Sequence, residues 1–294
     1  MKKILILGMA ILMGTAWAAA PTAEKVKRSY HASSKLYGRA EYFSIRNDAN
    51  AYLVYFQWIK PTAKSPGKVV VGLPEPVFWQ GFVSRDFTRL TVNGISSVEL
   101  EPKSIETFSR DGIAGVDALY NFDGIRMTLR FYMTEQSPML FMEWRKDPAS
   151  EGTVERAELA FSVYPSYSVP NGGKRDDSYQ REIQTPARTI PSPKNTAWVK
   201  LAPADTSFAM YDKAFEPSNT PKAQGPCFLA ADWKGILSGR VWFGKIYIMG
   251  FRFTLDPKAD CWRFGLWENK KPVNNQEFMG YKKNHEAFFQ MPPR

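Results

Sequence analysis

The chain has 294 residues, a formal net charge of +10, 44% hydrophobic residues and 14% aromatic residues. That apolar content excludes a disordered chain, and the length allows one large domain or two small ones. The positive excess favours acidic partners, but the charges are scattered, with no long like-charge run and no basic helix of the kind that binds nucleic acid.

The first twenty residues, MKKILILGMAILMGTAWAAA, read as a secretory signal. Lys2 and Lys3 form a positive start, Ile4 to Met13 an apolar core, and Thr15 to Ala20 a small-residue cleavage region. The apolar core is shorter than the ~20 residues a bilayer span needs, so no membrane span is expected after cleavage. The expected product is residues 21–294, secreted or periplasmic, with a charge near +8 once the two lysines are subtracted from +10. Export argues against a nucleic-acid partner.

Residues 21–40 are polar, without a clear period, and read as a loose arm or short helix. Ala51 to Ile59, AYLVYFQWI, reads as a strand buried on both faces, and Val69 to Val71 as a short strand after the turn cluster KPTAKSPG. Asn93-Gly94 and Asp123-Gly124 then mark two hairpins, because both dipeptides accept the positive φ of a type I′ turn. After Gly124 the alternation is clean: Ile125, Met127, Leu129, Phe131 and Met133 point one way, and Arg126, Thr128, Arg130 and Tyr132 the other. Met139 to Arg145 and Val154 to Tyr164 continue the strands.

Residues 165–195 break this rhythm with five prolines and eight charges, which predicts a long functional loop within a single domain. Strands resume from Thr196. Gly225 to Glu268 holds both cysteines and four tryptophans, with Trp262, Phe264 and Leu266 on one face of its last strand and Arg263 and Trp267 on the other. In an oxidising compartment the two cysteines predict a disulfide, Cys227 to Cys261. The tail from Asn269 reads as polar.

The expected fold is all-β: a large antiparallel two-sheet β-sandwich with few short helices, since nothing between the strands has the length for crossover helices. Mutarotase-like large sandwiches are an analogy at the level of fold alone.

No nucleotide loop, zinc spacing or nucleophile elbow occurs, so neither cofactor nor metal is expected. Only His31 and His285 are present, one near each end of the mature chain. Glu143 interrupts an apolar strand beside Trp144 and Arg145, and Asp232 lies beside Trp233. A carboxylate next to an indole is a candidate general acid, which makes these two the candidate catalytic pair. Trp79, Trp233 and Trp267 sit near turns or charged neighbours and are expected to be exposed; with Arg145 they are the candidate ligand-binding set, because indole stacks on the C–H face of a sugar. Carbohydrate, including acidic polysaccharide, is therefore the expected partner. A polysaccharide hydrolase or lyase using the carboxylates, an envelope module pairing through edge strands, and a transmembrane barrel are the other readings; fully apolar strands and 21 prolines speak against the barrel.

Overall fold

The computed structural model describes residues 20–27, 39–60, 66–75, 87–163, 165, 181–193, 197–213, 225–244, 248–268 and 273–292. The expected signal therefore lies almost wholly outside the described residues, as do His31 and Trp79. Strands β1 (Thr22–Val26), β2 (Ala40–Arg46), β3 (Ala51–Ile59) and β4 (Lys68–Glu75) pair in chain order as a four-stranded sheet. The chain continues through β5 (Thr88–Val92), β6 (Ile95–Ser96), β7 (Ser104–Arg110), β8 (Ile113–Phe122), β9 (Ile125–Thr134), β10 (Leu140–Lys146) and β11 (Ala157–Val163). After these come β12 (Arg181–Gln184), β13 (Thr189–Pro191), β14 (Trp198–Leu201) and β15 (Ser207–Asp212). The last strands are β16 (Cys227–Ala231), β17 (Ile236–Phe243), β18 (Met249–Leu255) and β19 (Cys261–Glu268), and helix α1 (Asn275–Asn284) follows them.

These strands form a nine-stranded sheet, in order β13-β12-β15-β16-β19-β10-β9-β8-β7, and a six-stranded sheet, in order β14-β17-β18-β11-β5-β6. The two sheets face each other across one core. Phe208 of the first meets Phe251 of the second at 5.2 Å between ring centres, and Phe264 meets Phe161 at 5.0 Å. The four-stranded sheet adds Phe43, Val54 and Phe56 to the same cluster. Each such side chain removed from water contributes roughly 1.5–3 kcal/mol, so the period-two apolar pattern is what holds the layers together. The antiparallel all-β sandwich is the fold.

Both predicted hairpins form, with positive φ at Asn93 and Gly94 and again at Asp123 and Gly124. Asp111-Gly112 makes a third such turn, between β7 and β8, which the sequence reading passed over.

Four expectations need correction. The polar arm contributes an edge strand, β1, which pairs with β2 from Thr22↔Arg46 to Val26↔Tyr42. The predicted loop 165–195 contains β12 and β13, which extend the nine-stranded sheet beyond β15; residues 166–180, 194 and 195 lie outside the described residues. The tail folds into α1, whose start is a capping box: the Asn274 side chain accepts from Glu277 N at 2.9 Å and Glu277 returns the bond to Asn274 N.

The fourth correction is the disulfide. Cys227 and Cys261 are free thiols. Cys227 on β16 stands opposite Glu268, at the far end of β19 from Cys261. Seven residues of strand separate those two positions, about 23 Å at 3.3 Å each, whereas a bridge needs Cα atoms within about 7 Å. Cys227 also points into the core while Cys261 borders the outer face. Burial, reinforced by the Glu268 charge, pushes the Cys227 thiol well above its usual range. Among the described residues no helix is long and apolar enough to cross a membrane.

Candidate functional site

Strand alternation gives the nine-stranded sheet an outer face, and register lines up a row of alternating charge across it. Asp117 on β8 stands opposite Arg130 on β9, Arg130 opposite Glu143 on β10, and Glu143 opposite Arg263 on β19. Asp232, just past β16, closes the row by donating its backbone N–H to Arg263 O at 3.0 Å. Arg130 grips Asp117 through two bonds of 2.7 and 2.6 Å.

Glu143 is the hub. Its Oε1 accepts from the Tyr132 hydroxyl at 2.9 Å and from Arg263 Nε at 3.1 Å, while Oε2 accepts from Arg145 Nη2 at 2.8 Å. Glu143 and Arg263 are both buried, whereas the Arg145 side chain is half exposed. Burial, with the Glu143 charge second, raises the Tyr132 hydroxyl far above its usual range, so it remains a proton donor. Burial alone would lower Arg263; its contact with Tyr132 and the charges of Glu143 and Asp232 outweigh that and raise it. On its far side Arg263 donates to Pro292 O at 2.7 Å and approaches Asp232 Oδ2 at 3.8 Å.

The Arg263–Pro292 contact divides two cavities. One, of about 770 Å³, lies between the β16 end and the chain's C-terminal segment, with Trp233, Asp232, Lys234, Phe289 and Gln290 in its wall. The other, of about 420 Å³, is bordered by Arg130, Tyr132, Arg145, Lys146 and Cys261. Arg263 and Pro292 line both. Asp232 caps the 3-10 turn Trp233–Gly235 by accepting from Lys234 N at 3.1 Å, which fixes the entry of Trp233. Trp233 is half-buried; its Nε1 donates to Asp205 O at 3.0 Å and its ring meets Phe253 edge-on.

The structure thus brings Glu143, Arg145, Asp232 and Trp233 to one groove. Trp267 does not join them. It is 2% exposed, its indole stacked on Phe278 at 5.5 Å and Tyr281 at 5.3 Å beneath α1, because the helix covers the outer-face residues of β16 and β19. Its expected exposure is corrected accordingly. Glu143 and Asp232 do not face one scissile bond either. They sit on opposite sides of one guanidinium, two strand spacings or roughly 10 Å apart across the sheet, with the arginine filling the space between. Inverting cleavage of a glycoside needs substrate and water between the two carboxyls, and retaining cleavage needs one of them free to attack the sugar. Among the described residues no group of three His, Cys, Asp or Glu side chains could hold a metal ion. Asn47 serves its turn, accepting from Ala49 N and Asn50 N.

Sequence reading missed Tyr132 and Arg263 as members of the groove, and Trp198 and Trp242 as surface aromatics. Arg263 carried the same signal as Glu143, a charge interrupting an apolar strand. Trp198, 40% exposed, followed a proline-rich stretch that hid the start of β14.

No family model matches the chain, and no curated protein does. Among solved structures it is similar in layout to the ligand-free alpha-N-acetylgalactosaminidase NagBb from Bifidobacterium bifidum, at 9% identity and a TM-score of 0.47 over 83% of this chain. It also aligns with the GH36 alpha-galactosidase AgaB from Geobacillus stearothermophilus, at 10% identity and a TM-score of 0.39 over 83% of this chain. The chain spans 36% of the first protein and 41% of the second.

Proposed function

We propose that this protein binds carbohydrate, without cleaving it, in the groove on the outer face of the nine-stranded sheet. The observation that carries the reading is the grouping of Trp233, Asp232, Arg263 and Arg145 around two cavities that share one arginine. Volumes of 770 and 420 Å³ lie in the range of small-molecule sites, and the larger one combines aromatic and hydrogen-bonding groups as a sugar requires. Arg145, half exposed and with one bond to Glu143, and Lys146 at the smaller end suit a carboxylated sugar, since cations pair with carboxylate through charge-assisted hydrogen bonds. With the export expected from the first twenty residues, the ligand would be a polysaccharide outside the cytoplasm.

The state of Glu143 supports binding over catalysis. Both of its oxygens are taken by Tyr132, Arg145 and Arg263, so it positions the donors and is not aimed at a substrate. Isothermal titration against neutral and uronate-containing oligosaccharides tests the proposal. Binding is expected, weakened about tenfold by Trp233→Ala or Arg145→Gln, the loss of about 1.4 kcal/mol. Silence across both classes would overturn it. Depolymerisation abolished by Glu143→Gln would replace it with the hydrolase or lyase reading.

A further inference from the structure

The outer face of the six-stranded sheet, on the opposite side of the molecule, carries a second organised surface. Here alternation sends Val241, Phe251 and Phe161 into the core and leaves their neighbours outside. Register aligns two outward rows. In the first, Lys200 on β14 stands opposite Arg240 on β17, Arg240 opposite Arg252 on β18, Arg252 opposite Ala160 on β11, and Ala160 opposite Arg89 on β5. In the second, Trp198 stands opposite Trp242, Trp242 opposite Gly250, and Gly250 opposite Ser162. The guanidinium of Arg240 lies 4.6 Å from the Trp198 ring centre and that of Arg252 5.2 Å.

We infer that this face is a binding platform for an extended anionic polysaccharide. Gly250, Ala160 and Ser162 are the small outward residues of these rows, and with Trp198, Trp242, Arg252 and Arg89 around them they floor a shallow trough of about 370 Å³. Four strand spacings separate β14 from β5, about 19 Å, so the trough suits several linked sugar rings lying flat across the strands. The rows hold four cations, and among the described residues of these strands Glu158 is the one outward acid, 3.9 Å from Arg252. An uncharged glycan would use the indoles and leave that charge idle; a chain with an anionic group on successive rings uses both. Arginines lying over a ring also offer their N–H edges sideways to carboxylate or sulfate. Single-stranded nucleic acid has related chemistry, aromatic stacking plus cations, and is the rival that the export expected of this chain disfavours.

The platform shares no residue with the groove around Arg263, so the two proposals fail separately. The test is tryptophan fluorescence titration of the full chain with long polygalacturonate, heparin, cellohexaose and a thymidine oligonucleotide. Polygalacturonate or heparin is expected to bind with an affinity that falls as salt rises; polygalacturonate carries carboxylate alone, so its binding shows that sulfate is not required. Trp198→Ala and the double change R240Q/R252Q should each weaken it about tenfold. All of these side chains are partly exposed, so unchanged circular dichroism is expected and serves as the check on folding. Trp233→Ala, at a residue that lines the groove and not the trough, should leave the Trp198-dependent binding in place. Wild-type affinity in both platform variants would overturn the inference, as would no binding to either anionic chain, equal binding to cellohexaose, or tighter binding to the oligonucleotide.

Discussion

Glu143 accepts hydrogen bonds from two arginines and a tyrosine while 5% exposed, so its loss leaves several donors without their acceptor. Removing one partner of a buried ion pair leaves the other charge uncompensated, at a cost of about 3–5 kcal/mol. Glu143→Ala should therefore lower stability in urea by that amount, and Glu143→Gln by less, because the amide oxygen still accepts a bond. A change below 1 kcal/mol for the alanine variant would mean that the hub does not organise the face. Glu143 was visible in the sequence as a charge inside MLFMEWR. Arg263 carried the same signal inside CWRFGLW, but its partnership with Glu143 was hidden, because 120 residues separate them and only the pairing of β10 with β19 brings them together.

At the scale of elements, the C-terminal helix decides the fate of one whole strip of sheet. Phe278 and Tyr281 are one turn apart on α1 and cover Trp267, and Phe289 closes the cluster against Phe228 at 5.0 Å. Gly265, between Arg263 and Trp267 on the same face, makes room for Met139 and Met291: a Cβ there would collide with Met139 Cε and stand 3.2 Å from Met291 Sδ. The helix is short and depends on its cap and on this contact. Asn274→Ala should cost about 1 kcal/mol through the lost cap, while Trp267→Ala should cost about 3–5 kcal/mol as a cavity in a packed cluster. Thermal unfolding of the two variants checks the ranking, and equal losses would contradict it. The capping box in N-N-Q-E was passed over, and only the polar character of the tail was legible. That this polar helix docks on Trp267 was not, since the same indole in GLWEN reads equally well as exposed.

For the whole molecule, the sandwich holds without a covalent staple. Burial raises both thiols, and they lie at opposite ends of β19's length and on different faces. A reductant should leave the melting temperature unchanged, and both cysteines should alkylate when the protein is unfolded without one. Protection of both until reduction would show a bridge and refute the strand register that separates them. The two outer faces also differ in character. The nine-stranded sheet is partly covered by the chain's own C-terminal segment and forms a groove, while the six-stranded sheet is flat and basic.

The features that the sequence by itself determined are those set by neighbours in the chain. Period-two alternation settled which residues of β9, β10 and β19 share a face, and Asn-Gly and Asp-Gly settled turns, because the steric demand of a positive φ is local. Tertiary structure alone decided what each face meets. Alternation places Arg263 and Trp267 on one side of a strand without saying that one will lie in a groove and the other beneath a helix. It leaves the distance between Cys227 and Cys261 open, because that distance depends on how β16 slides along β19. Pairing between distant strands is fixed by packing of the entire core, and no window of sequence contains it.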